Sequence, residues 1–73
     1  MNSGAFTWEN FRRKDGTLDL LAALMDRAPA YPNPVRVKQA TDFIDEVEDF
    51  CPIRSRQAAA LTLTQALRIL RGE

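Results

Sequence analysis

The stretch from Asn33 to Pro52, NPVRVKQATDFIDEVEDFCP, constrains the fold more than any other part of the sequence because both of its ends carry helix-boundary signals. Asn33 is a good N-cap acceptor. Pro34 suits the first helical position, where a backbone N–H has no intrahelical partner. Pro52 cannot continue the helical hydrogen-bond ladder. The stretch therefore predicts one helix that begins after Asn33 and ends before Pro52.

The two sides of this helix differ in chemistry. At about 100° per residue, one side is apolar and is expected to face the core: Val37, Ala40, Phe43, Ile44, Val47, Phe50 and Cys51. The other side and its flank carry five carboxylates within eight residues, with no basic residue among them: Asp42, Asp45, Glu46, Glu48 and Asp49. Like charges three or four residues apart on a helix cost roughly 0.2–0.5 kcal/mol per pair, and the helix C-terminus disfavours negative charge.

Such crowding has three possible explanations. The carboxylates are simply solvated, or they are neutralised from within by nearby arginines, or they bind a basic surface of another protein. The internal candidates are Arg54, Arg56 and Arg68. The functional interpretation assigns partner binding to four carboxylates, named here the acidic face: Asp42, Asp45, Glu46 and Asp49.

A second helix is predicted from Leu18 to Arg27, with Thr17 as its N-cap. Its central apolar stripe consists of Leu18, Leu21, Ala22 and Met25, widened by Leu20 and Leu24.

A third helix is predicted from Arg56 to Arg71, with Ser55 as its N-cap and Gly72 at the C-terminal stop. Its stripe consists of Ala59, Ala60, Leu63, Ala66, Leu67 and Leu70. The sequence as a whole predicts an all-α fold, a small three-helix domain over residues 17–73 preceded by an irregular N-terminal arm.

The arm, residues 1–16 (MNSGAFTWENFRRKDG), has no sustained periodicity and ends on a turn-favouring Asp-Gly pair. It nevertheless holds Phe6, Trp8 and Phe11, followed by Arg12 and Arg13. Either the rings fold back and cover a small helical core, or rings and arginines together anchor a partner protein, since aromatic residues and arginine are enriched in interface hot spots. Stacking on single-stranded nucleic acid is a further possibility.

Composition narrows the function classes. Ten acidic and ten basic residues give zero formal net charge, which weakens any case for generic binding to nucleic acid or anionic lipid. One cysteine and no histidine exclude an internal disulfide and the common zinc sites, and Cys51 is expected to be a small buried hydrophobe. The sequence contains neither a phosphate-binding loop nor a nucleophile elbow, and no apolar run long enough to span a bilayer. We expect a cytoplasmic, non-enzymatic protein with no cofactor, no bound metal and no small-molecule substrate.

A helix-turn-helix DNA-binding role is the alternative. Only a short link separates the helix that ends before Pro52 from the helix that begins at Arg56, as in a helix-turn-helix. The opening residues of the latter, Ser55, Arg56 and Gln57, have side chains that can reach base edges. Two features weaken this alternative. The alanines that follow have no polar groups to contact base edges, and the acidic helix beside them would repel DNA phosphates.

Taken whole, from the opening MNSGAFTWENFRRKDG to the closing QALRILRGE, the chain resembles the small RNA-polymerase-binding transcription regulators of lytic Xanthomonas bacteriophages. The resemblance implies a protein that binds host bacterial RNA polymerase near the β′ N-terminus and the ω subunit. It implies inhibition of transcription initiation by σ displacement, together with read-through of terminators, in the host cytoplasm. No individual site residues follow from the resemblance.

Overall fold

Three α-helices joined by short turns account for most of residues 8–73, the part of the chain that the computed structural model describes. They are α1 (Leu20–Arg27), α2 (Pro34–Phe50) and α3 (Arg56–Arg71), with short 3₁₀ turns at Trp8–Phe11 and Ala28–Ala30. The predicted all-α, three-helix architecture is confirmed. No helix within residues 8–73 combines the length and apolar character needed to cross a membrane.

The boundaries of α2 lie where the sequence predicts them. The Asn33 side chain accepts hydrogen bonds from the backbone N–H groups of Val35 and Arg36, at 3.0 and 3.2 Å. At the other end the Cys51 N–H donates to the Val47 carbonyl oxygen at 3.0 Å, and Cys51 itself is extended. These local contacts confirm that the helix is delimited by its own cap residues.

Both predicted ends of α3 are also confirmed. Ser55 Oγ accepts from the backbone N–H groups of Gln57 and Ala58, at 3.1 and 3.2 Å. Gly72 has φ = 82°, a left-handed conformation that glycine adopts without the steric penalty of a Cβ, and it closes the helix.

The start of α1 differs from the prediction. Asp19, not Thr17, is the N-cap, and its Oδ1 accepts from the Ala22 N–H at 3.0 Å. The Leu18 N–H donates to the Ile53 carbonyl oxygen at 2.8 Å. This contact between distant parts of the chain holds Leu18 outside the helix, so the prediction of Thr17 as the cap is wrong.

The core lies where α1 packs against the pair formed by α2 and α3. Its buried residues are Leu18, Leu20, Ala23, Leu24, Ala40, Ile44, Ile53, Ala59, Leu63, Ala66 and Leu70.

The stripe predicted for α3 is largely confirmed, although Ala60 is exposed. The buried side of α1 differs from the predicted one. Leu20, Ala23 and Leu24 are buried, while Met25 is half exposed. The sequence of α1 is apolar on nearly every side, so packing against the other two helices, not its own pattern, sets its orientation.

The last turn of α2 also departs from the prediction. Ala40 and Ile44 are buried as expected, but Phe50 is 92% exposed and Cys51 is exposed as well. The expectation that Phe50 and Cys51 face the core is wrong, because the chain leaves helical geometry at Cys51 and α3 begins only at Arg56.

The described part of the arm, residues 8–16, lies against the helices. The Asp19 N–H donates to the Phe11 carbonyl oxygen and the Arg13 N–H to the Thr17 carbonyl oxygen, both at 2.7 Å. Trp8 and Phe11 are half-buried and pack against the core. Phe6 lies outside the described residues, and the division of the chain at residue 16 stays a prediction.

Candidate interaction surface

The four carboxylates of the acidic face all lie exposed along one side of α2. They are Asp42, Asp45, Glu46 and Asp49, and their helical spacing of three and four residues places them next to one another. Asp45, Glu46 and Asp49, together with Glu48, line a shallow depression of about 500 Å³. Within residues 8–73, no group of three or more histidine, cysteine or carboxylate side chains is arranged to hold a metal ion.

One carboxylate of the face is neutralised inside the chain. Lys38, one turn before it on α2, donates from Nζ to Asp42 Oδ2 at 3.0 Å. This is an exposed pair four residues apart, of the kind that contributes only about 0.3–0.5 kcal/mol. For Asp45, Glu46 and Asp49 there is no such ion pair with any residue between 8 and 73.

The arginines expected to neutralise the face point elsewhere. Arg54 donates from Nη1 to the Asp15 carbonyl oxygen at 2.7 Å, and Arg68 pairs with Glu73 at 3.7 Å. Arg56 acts electrostatically on Glu9, where it adds a small effect to the hydrogen bond from Arg12 that chiefly lowers the pKa of the Glu9 carboxyl. The hypothesis that these three arginines neutralise the acidic face from within is therefore not supported by the geometry.

Glu48 differs from its four neighbours. Its side chain is only 19% exposed and faces the arm, with Oε2 3.9 Å from Arg13 Nη1. Burial raises the pKa of the Glu48 carboxyl, an effect that the Arg13 guanidinium opposes and that Asp19 and Asp45 reinforce. Glu48 thus belongs to the contact between arm and helix and not to the open acidic face.

The two arginines of the arm are engaged within the chain. Arg12 binds Glu9 through Nε and Nη2, at 3.1 and 3.2 Å, and donates to the Gly16 carbonyl oxygen at 2.8 Å. Arg13 donates to Asp19 Oδ1 at 3.1 Å. Both guanidinium groups therefore hold the arm in place as well as presenting charge at the surface.

The two described rings of the arm also contact each other. The Trp8 and Phe11 ring centroids are 6.4 Å apart and their planes meet at 70°, an edge-to-face arrangement. Partial burial against the core shows that the rings fold back on the helices. Their role as partner anchors, with Arg12 and Arg13, stays a prediction.

The sequence pattern did not predict that Phe50 is exposed beside the acidic face. It follows the acidic face directly, and 92% exposure makes it the most exposed large apolar side chain in the part of the chain described. Its position indicated this exposure. Phe50 is the last residue of α2, before an extended Cys51 and Pro52, and the end of a helix can extend past the core.

Comparison of the chain with protein-family models, with curated proteins and with solved structures finds no match.

Proposed function

We propose that this chain is a small, non-enzymatic transcription regulator that binds bacterial RNA polymerase through its acidic face. The observation that carries the proposal is the set of three exposed carboxylates, Asp45, Glu46 and Asp49, which have no ion pair within residues 8–73. Their mutual repulsion lowers the stability of α2 and is not offset by the arginines nearby. Locally unfavourable interactions of this kind are expected where a surface serves function.

A basic surface of a partner protein would supply the missing compensation. Complementary charge accelerates encounter and fixes the register of a complex, and its contribution weakens as salt is added. In this proposal the acidic face orients the chain on the polymerase.

The choice of partner rests on the resemblance of the whole sequence to phage regulators of this class. That resemblance suggests the β′ N-terminal region and the ω subunit as the binding surface. It also suggests the consequences, which are displacement of σ from host promoters and read-through of terminators. The chain would act by occupying the polymerase, without catalysis.

The arm contributes a second part of the contact in this proposal. Trp8, Phe11, Arg12 and Arg13 are each partly exposed, so the rings and guanidinium groups that brace the arm also offer contact surface beside the helices. Aromatic residues and arginine contribute disproportionately to binding energy in protein interfaces.

The test is a binding measurement with purified, immobilised core RNA polymerase. Asp45→Asn with Asp49→Asn should weaken binding at least about tenfold, a loss typical of a few interface positions. The matched control is Asp26→Asn with Glu73→Gln, which removes the same amount of charge from exposed sites outside the acidic face and should leave affinity unchanged. Equal affinity for the wild type and the Asp45/Asp49 variant would overturn the proposal.

A helix-turn-helix DNA-binding role is the alternative function. Arg56 and Gln57 are exposed at the start of α3, where a recognition helix would present them. A specific DNA complex that Arg56→Ala and Gln57→Ala remove would favour this alternative, whereas retention of polymerase binding by the same two variants would favour the proposed function.

A further inference from the structure

A groove at the turn between α2 and α3 has an apolar lining that the proposed function leaves unassigned. Its volume is about 430 Å³. The main lining residues are Val47, Phe50, Cys51, Pro52, Ala58 and Thr62. A volume of this size is enough for one or two large apolar side chains.

Two exposed apolar residues extend the surface around this groove. Phe50 lines it from α2 and is 92% exposed, and Leu61, 71% exposed, follows Ala58 by three residues on α3. Residues three apart on a helix are surface neighbours, so Leu61 continues the apolar surface beyond Ala58. Contiguous apolar surface with a polar margin is characteristic of interaction sites.

The charge beside the groove is negative. Glu46 precedes Phe50 by one helical turn and Asp49 is its neighbour in the chain, while α2 has no basic residue in its last turn. The C-terminus of a helix adds further negative potential. The cation that lines the groove, Arg54, is directed toward the arm by its hydrogen bond to the Asp15 carbonyl oxygen.

We propose that this groove receives a large apolar side chain from a basic amphipathic segment of a partner protein, with basic residues of the same segment against Glu46 and Asp49. Apolar contact and charge complementarity then act at one continuous surface, the usual arrangement of a buried anchor beside a polar rim. The inference rests on the proposed function for the role of the acidic face and adds the apolar anchor site next to it.

The same charges argue against a second copy of the chain as the occupant. A twofold axis through the Phe50 groove would bring the carboxylates next to the groove, Glu46 and Asp49, from both copies into one interface. Like charges facing each other across an interface are unfavourable. A basic segment avoids this repulsion.

The test uses the full chain, labelled with ¹⁵N and titrated with a synthetic helical peptide that has a leucine stripe and a lysine-rich opposite face. A second peptide carries glutamate in place of every lysine. With the lysine peptide, the backbone amide signals of Phe50, Cys51, Ala58 and Thr62 should shift, and the glutamate peptide should bind at least about tenfold more weakly.

Substitutions locate the site. Phe50→Ser should weaken binding of the lysine peptide at least about tenfold, as truncation of a hot-spot residue does. Val35→Ser is the matched control, since Val35 is a 64% exposed apolar residue at the opposite end of α2, and it should leave the affinity unchanged. Circular dichroism should show both variants folded, because neither residue is part of the core.

Several outcomes would overturn the inference. They are the absence of peptide binding, shifts confined to Asp45 and Asp49 with no effect of Phe50→Ser, and shifts at Phe50 that grow with protein concentration in the absence of peptide. The last of these would identify a second copy as the occupant. Groove binding by the peptide together with no binding to RNA polymerase would support the groove and overturn the proposed function, so the two failures are distinguishable.

Discussion

Arg54 Nη1 donates a hydrogen bond to the Asp15 carbonyl oxygen at 2.7 Å, which joins the α2–α3 turn to the N-terminal arm. The guanidinium that follows the acidic face most closely in the chain is therefore turned away from it. The hydrogen bond that holds the arm against this turn thus also engages an arginine that could otherwise have paired with Asp45, Glu46 or Asp49, which have no ion pair within residues 8–73.

Replacement of Arg54 by methionine should lower the free energy of unfolding by about 1 kcal/mol, because it removes an intramolecular hydrogen bond and leaves the Asp15 carbonyl oxygen without this donor. Urea denaturation measures this effect. Arg56→Met is the control and should stay within about 0.5 kcal/mol of wild type. A stability of Arg54→Met equal to wild type would contradict the role of this hydrogen bond.

Neutralisation of the acidic face should leave the chain at least as stable as the wild type. Asp45→Asn, Glu46→Gln and Asp49→Asn together remove like-charge pairs that each cost about 0.2–0.5 kcal/mol and relieve an unfavourable interaction with the helix C-terminus. Urea denaturation at low salt measures the change. A clear loss of stability in this triple variant would show that the carboxylates are compensated within the chain, contrary to our account.

The stability contributed by Glu48 should depend on pH. Because burial raises the pKa of its carboxyl above the ordinary value of 4.5, the folded state binds this proton more readily than the unfolded state does. The resulting stabilisation is fully present below pH 4.5 and is lost as the pH rises through the raised pKa.

Glu48→Gln, which stays neutral, should therefore gain stability relative to wild type as the pH rises from about 4 to 7, above the ordinary carboxyl range. The difference in free energy of unfolding between variant and wild type, measured by urea denaturation at each pH, isolates this residue from the other titrating groups. Asp42→Asn, on the exposed side of the same helix, is the control. A difference that is constant with pH would show that burial does not govern Glu48.

Asp19 should contribute more to stability than an ordinary surface aspartate. Asp19→Ala removes the N-cap of α1 at a cost of about 1 kcal/mol, together with the 3.1 Å pair to Arg13. Asp19→Asn keeps an acceptor for the Ala22 N–H and should recover most of the capping energy. If thermal denaturation finds the asparagine variant as unstable as the alanine variant, the ion pair and not the cap is the main contribution.

Features set by local chemistry were predictable from the sequence. Asn33, Ser55 and Gly72 delimit their helices through hydrogen bonds or backbone conformations that involve residues within a few positions. Thr17 and Asp19 are both good cap residues, and a contact between Leu18 and the distant Ile53 decides between them. No local signal distinguishes the two.

Features set by packing were not predictable in the same way. Helical periodicity places Phe50 on the core side of α2 but does not show how far the neighbouring helix extends alongside it. Likewise, the sequence places Arg54 near the acidic carboxylates, whereas its hydrogen bond to Asp15 depends on how the arm folds back. The acidic face itself was predictable, since four carboxylates at spacings of three and four residues must share one side of a helix.

The most direct test of the central claim is the salt dependence of binding to core RNA polymerase, compared between the wild type and the variant with Asp45→Asn, Glu46→Gln and Asp49→Asn. Exposed charges that pair with a partner lose much of their attraction as the screening length falls from about 10 Å at 0.1 M salt to about 3 Å at 1 M. We predict that the wild-type association constant falls steeply with salt, and that the variant binds more weakly with a distinctly flatter dependence. Parallel salt dependences with equal affinities would show that the acidic face takes no part in the complex and would contradict the account.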